Sequence, residues 1–171
     1  MMERIELITE RLIITQFDLS MAESVHLNSL DEDTRRFTPD EVFETGDVAQ
    51  ETIEFLMECY KNNEGPFVYP ILLKTGKNIG YVQAVPIDNG WEVGYHIALP
   101  YTKKGYAKEA VKAFVPYIMS QLKIDYIWGI CRADNVASCA VLKHCHFELD
   151  STYIGKYQGG NHEICRFVYR K

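Results

Sequence analysis

Residues 91–111 read WEVGYHIALPYTKKGYAKEAV, and the structure this stretch adopts decides the fold. Its first part is the last of three apolar runs, residues 67–74, 78–85 and 91–99, separated by Thr75-Gly76 and Asp88-Asn89-Gly90. Those separators are turn formers, so the runs predict an antiparallel meander. Its second part opens a helix. Ala107, Ala110, Val111, Phe114, Val115, Ile118, Met119 and Leu122 fall at helical spacing, which makes one apolar stripe over residues 105–122. Pro116 lies within it and is expected to kink the helix by removing a backbone hydrogen bond. Residues 125–131 (DYIWGIC) are apolar on both faces, as suits a buried strand. A strand–helix–strand crossover makes its two strands parallel, with a right-handed connection. Ligands of such units gather at the carboxyl ends of the strands, where the helix begins.

Working outward, residues 10–17 (ERLIITQF) alternate apolar and polar and predict a first strand, and residues 18–30 are weakly helical. Residues 31–46, polar and punctuated by Pro39 and Gly46, read as loop, and residues 47–62 as an amphipathic helix. A short helix over residues 135–145 and two closing strands, near 147–154 and 163–169, complete the chain. With no internal repeat and no linker, the expectation is one domain over residues 1–171. Its class is α+β, a mixed sheet with flanking helices around a central parallel strand–helix–strand unit.

Composition narrows the function. The 171 residues are 47% apolar and 12% aromatic, enough for a packed core and unlike a disordered or low-complexity chain. A formal charge of −6 argues against general nucleic-acid binding, which needs a basic face. No run approaches a membrane span and residues 1–9 have no apolar signal core, so a cytoplasmic setting is expected. Five cysteines leave one unpaired in any disulfide scheme and none forms a CxxC pair, which favours reduced thiols. Cys139, His144, Cys145 and His146 would point around most of a helix, so no metal site is expected.

The turn before the long helix carries the first chemical signal. Backbone N–H groups in a helix's first turn lack internal partners and favour anions. Gly105 allows close approach of the backbone, while Lys103 and Lys104 bring two cations to an acidic chain. Thr102, Tyr106 and Ala107 complete the turn. A plain capped helix with a solvated lysine pair fits the same residues. No nucleotide P-loop motif is present.

The order of elements, with TERLIIT near the start, GYVQAV, the 91–111 stretch and NVASCAVLKHCHF, resembles the GNAT superfamily of N-acetyltransferases. Within it, the sequence is similar to the RimJ/RimL-like branch that acetylates ribosomal-protein N-termini. The resemblance implies a GNAT-like acyl-CoA N-acyltransferase fold with acetyl-CoA as co-substrate. It also implies pyrophosphate binding by residues 102–107, a pantetheine arm between splayed strands at 91–99 and 125–131, and Asn135 holding the pantetheine. Three positions depart from the family pattern: Thr102 begins the loop motif, Lys103 replaces the branch's extra glycine, and His146-Phe147 stands for Gly-Phe.

Acetyl transfer to an amine needs a base for the nitrogen, donors for the oxyanion and a route to protonate the thiolate. Glu92, on the strand leading to the loop, matches a frequent glutamate base of the family, and its apolar neighbours Trp91 and Val93 favour a raised pKa. An ordinary exposed strand carboxylate is the alternative. The resemblance implies a bulge near His96 and Ile97 that frees their N–H groups as oxyanion donors, and the His96 side chain is a second candidate base. The family's usual tyrosine acid is replaced by Leu142, and the branch's serine maps to Ser138. Asn135 and Ser138 also fit a plain helix cap. Cys139 is expected to pack in the core.

Residues 31–54 hold nine carboxylates against Arg35 and Arg36. An acidic rim would concentrate a cationic amine, whether a protein N-terminus, a polyamine or an aminoglycoside. A solvated helix face accounts for the charges equally well. Tyr153, Tyr157 and Gly159-Gly160 are candidates to shape the same cleft, and a homodimer is compatible with the sequence. A non-catalytic acyl-CoA-binding or regulatory domain of the same fold is the competing reading.

Overall fold

The computed structural model describes residues 2–171. Among them, eight strands form one mixed sheet in the order β1-β2-β3-β4-β5-β6-β8-β7. The strands are β1 (Leu7–Ile8), β2 (Leu12–Ile14), β3 (Phe67–Leu73), β4 (Asn78–Ile87), β5 (Gly90–Ile97), β6 (Tyr126–Arg132), β7 (Glu148–Tyr157) and β8 (Gly160–Arg170). The helices are α1 (Ala22–Asn28), α2 (Glu32–Phe37), α3 (Gly46–Cys59), α4 (Tyr106–Leu122) and α5 (Val136–His144). No helix of the described residues is long and apolar enough to cross a membrane.

β3, β4 and β5 form the expected antiparallel meander, and β5 lies parallel to β6 across the α4 crossover. Strand alternation divides the core between the two faces of the sheet. Phe67, Tyr69, Val82 and Val93 join Val111, Phe114, Ile118 and Leu142, so α4 and α5 cover one face. Val68 and Tyr81 join Val25, Ala49, Ile53 and Leu56, so α1 and α3 cover the other. Each fully buried Ile, Phe or Met in these layers contributes about 1.5–3 kcal/mol.

One local expectation changes, while α4 keeps its expected extent. α4 runs through Pro116 as one element. Pro116 lies on the exposed side of the helix, where a carbonyl deprived of its N–H partner can turn to water. The stretch expected to be loop over residues 31–46 contains α2 and a 3₁₀ turn at Pro39–Glu41. α2 has one apolar residue, Phe37 at its last position, so periodicity cannot reveal it. It is held by its cap, where Asp31 accepts from the Thr34 N–H at 2.9 Å, and by tertiary contacts described below.

Candidate active site

The pairing of β5 with β6 covers Glu92 with Trp128 and Val93 with Gly129 and then stops, although both strands continue for several residues. From Gly94 and Ile130 onward the sheet is split. The split is the floor of a cleft of about 930 Å³ that extends from the start of α4 to Glu41 and Tyr157.

At one end lies the turn before α4. Gly105, with φ of 82°, is the N-cap and Lys103 has φ of 60°. Both occupy the left-handed region, natural for glycine and costly for lysine. Thr102, Lys103, Gly105, Tyr106, Ala107 and Lys108 line the cleft. Lys104 turns away: its ammonium lies 5.8 Å from the Tyr101 ring centroid and its carbonyl accepts from Arg11 Nη1 at 2.9 Å. Arg11 also donates through Nε to Glu109 Oε2 at 2.7 Å, while Thr9 Oγ1 donates to Glu109 Oε1 at 2.7 Å. Burial opposes the charge on Glu109, but these donors hold its carboxyl below the usual range. The clamp fixes the first turn of α4 against the segment leading into β2. Arg11 was not among the candidates, because nothing local in the sequence connects it to this turn, and Lys108 was passed over although it directly follows Ala107.

The two faces of β5 serve different ends. Glu92, Gly94 and His96 share a face with Val85, Gln83 and Tyr81, their register partners on β4. Tyr95 projects to the other face. Its hydroxyl donates to the Ser138 carbonyl at 3.0 Å and lies 2.9 Å from Ser138 Oγ. Ser138 therefore comes with a second hydroxyl, which the sequence reading missed. Asn135 caps α5, its Oδ1 accepting from the Ser138 N–H at 3.2 Å. Cys139 sits with its sulfur 3.2 Å from that of Cys131, whose thiol is pushed up by burial.

β5 keeps an unbroken register against β4 from Gly90 to Ile97, so the bulge expected at His96–Ile97 is absent from this pairing. The Ala98 N–H donates to Ile79 at 2.8 Å, which fixes the alternation. His96 then directs its N–H toward β4, whereas Tyr95 and Ile97 direct theirs toward the split. The His96 N–H, expected to be free, is thus committed to β4, while the expected Ile97 N–H and that of Tyr95 are the ones facing the split.

The His96 side chain is committed as well. Nε2 lies 2.9 Å from Thr34 Oγ1, and Thr34 Oγ1 donates to Asp31 Oδ2 at 2.6 Å. A hydroxyl has one proton, and an ionised carboxylate can only accept, so the network puts a proton on Nε2. The hydrogen bonding with His96 holds the Asp31 carboxyl well below the ordinary carboxylate range against its burial. This cluster pins α2 over the cleft. Arg132 pins the same helix from β6, donating to the Arg36 carbonyl at 3.0 Å with its guanidinium 5.1 Å from the Phe37 ring centroid.

Glu92 lies at the base of the cleft. Burial, followed by the charge of Glu41, raises its pKa to about 8. Of the acidic stretch, Asp31, Asp33 and Glu41 line the cleft, while Glu44 pairs with Arg35 at the surface. Tyr157 lines it too, together with Gln158, whereas Tyr153 is an exposed residue of the edge strand β7.

A split mixed sheet, with a helix N-terminus at one end of the split and a raised carboxyl at the other, defines an acyltransferase-type site. Residues 11–148 match the family model of the acetyltransferase (GNAT) domain, and the chain therefore belongs to the GNAT acetyltransferase family, whose members are acetyl-CoA-dependent. YnaD of Bacillus subtilis, an uncharacterized N-acetyltransferase, is 25% identical over 138 residues, covering 79% of this chain and 78% of the relative. Two solved structures share the fold. A GNAT-family acetyltransferase from Bacillus anthracis has a TM-score of 0.81 at 22% identity, with 97% of this chain and 98% of that one covered. RimL, the ribosomal L7/L12 α-N-protein acetyltransferase, in complex with coenzyme A, has a TM-score of 0.84 at 17% identity and the same coverage. The expected likeness to RimL-type enzymes thus holds at the level of fold.

Proposed function

We propose that this chain, acting as one domain over residues 1–171 in a cytoplasmic setting, transfers an acetyl group from acetyl-CoA directly to a cationic primary amine. The observation that carries the reading is the split between β5 and β6, which links the turn at Gly105 to Glu92. The RimL neighbour's complex with coenzyme A supports the co-substrate. Its acceptor, a protein α-amine, belongs to the class that an acidic cleft suits.

In this reading the N–H groups at the start of α4, with Lys103, hold the pyrophosphate, and the Asn135 amide meets the pantetheine. Glu92 takes a proton from the ammonium, directly or through a water. The freed amine attacks the thioester carbon, and the Tyr95 and Ile97 N–H groups hold the oxyanion. As the C–S bond breaks, the nitrogen loses its second proton to water. Ser138, backed by Tyr95, protonates the thiolate, and Glu92 passes its proton back to Ser138 through water. The net products are amide, thiol and one proton.

The test is thiol release from acetyl-CoA across a panel of amines: α-amino peptides, polyamines and aminoglycosides. Turnover on one class supports the proposal. Tight coenzyme binding with turnover on none of them would instead support a binding or regulatory domain.

A further inference from the structure

We propose that Glu41 is the acceptor-binding residue, closing with Gln83 and Tyr157 a pocket that holds a compact primary ammonium beside Glu92. The inference builds on the reading of Glu92 as the base. Glu41 lies on the 3₁₀ turn Pro39–Glu41, and that turn is strapped across the cleft, since the Asp40 N–H donates to Gln158 Oε1 at 2.9 Å from a position 118 residues away. Gln83 Nε2 donates to Glu41 Oε1 at 3.0 Å. To do so its side chain crosses β5 at Gly94, where a Cβ would stand 2.6 Å from Nε2. The bare glycine leaves a lane for the amide and orients the carboxylate.

Such an arrangement lacks a cation. Among the described residues, no lysine, arginine or histidine pairs with Glu41 or Glu92 within 4.0 Å. A structural carboxylate in a half-enclosed site is ordinarily satisfied by a basic side chain; here a neutral amide orients it and leaves its charge unmatched. The Tyr81 ring lies in the core beneath, and its buried hydroxyl feels the Glu41 charge. The Tyr157 hydroxyl shares the field of both carboxylates. Two carboxylates and the Tyr157 phenol offer acceptors and an electron-rich ring, a set that an ammonium group satisfies and a neutral isostere does not.

The experiment is calorimetric titration of the full chain, saturated with coenzyme A so that no turnover occurs. The probes are alanine amide, 1,4-diaminobutane and lactamide, the last with a hydroxyl in place of the ammonium. The wild type is expected to bind at least one of the amines and not lactamide. Glu41→Gln should weaken that amine tenfold or more, and Glu41→Asp should recover most of the loss. Glu92→Gln, an isostere of the protonated acid, should bind the amine nearly as well as the wild type. Equal affinity in Glu41→Gln, equal binding of lactamide, or no binding of either amine by the wild type would overturn the proposal. The base reading fails separately: full turnover in Glu92→Gln would remove it, even where Glu41→Gln still loses the amine.

Discussion

At the Gly105 end the cleft is built from consecutive residues, a turn and the first turn of one helix. At the Glu92 end it is built from side chains at positions 34, 41, 83, 92 and 157, brought together by two sheet strands, a short helix, a 3₁₀ turn and a hairpin. The first end works through backbone N–H groups that any sequence of the right shape would present. The second works through particular side chains whose spacing in the chain carries no signal. Under the proposed function, coenzyme recognition would be spread over many small terms and acceptor chemistry concentrated in a few groups.

That contrast breaks most sharply at Glu92. Glu92→Gln should lower kcat by about 10²–10⁴ with acetyl-CoA affinity unchanged, measured by steady-state thiol release and coenzyme titration. The sign of the pH dependence follows from the raised carboxyl. Glu92 is protonated below about 8 and acts when ionised, so wild-type kcat/KM should climb with pH up to that value and then level. A flat profile through this range would remove Glu92 from the base role.

On the opposite face of β5 the effect should be smaller. Ser138→Ala is expected to cost roughly tenfold to a hundredfold in kcat, and Tyr95→Phe only a few-fold, because Tyr95 acts through Ser138. A reversed order would make Tyr95 the direct donor, and pre-steady-state thiol release separates the two.

The Gly105 end should answer more gently. Lys103→Ala should raise the acetyl-CoA KM about fivefold at low ionic strength, with the difference fading near about 0.5 M salt. Lys104→Ala should do less, since its side chain lies over Tyr101 and off the cleft. Equal effects would sink that distinction.

The smallest change concerns backbone shape alone. Lys103 holds a left-handed conformation, with φ of 60°, at a position where a glycine is free of that strain. Lys103→Gly should therefore raise stability by about 0.5–1 kcal/mol, seen as a few degrees in thermal unfolding, while weakening coenzyme affinity.

What the sequence disclosed follows the same division. The meander, the α4 stripe and the turn at Gly105 were legible because periodicity and turn chemistry are local. α2 was not: its six residues carry a single apolar side chain, Phe37. What holds it comes from far away, a hydroxyl shared by Asp31 and His96, 65 residues apart in number order, and Arg132 of β6. The N–H facing the split is that of Tyr95 and not of His96 because N–H direction depends on register with β4, which composition and spacing do not encode. Tyr95 itself was missed because its partner, Ser138, reaches it only after the α4 crossover is folded.

Only two rungs, at Glu92 and Val93, join β5 to β6. Mechanically the sheet is two leaves stitched by a short seam, with α4 as the strap between them. A molecule lodged in the opening acts as a splint, since it supplies contacts across a gap the backbone leaves unbridged. Occupancy should then tighten the far leaf, β6 to β8, as a block, and slow its amide exchange well beyond the residues that touch the occupant.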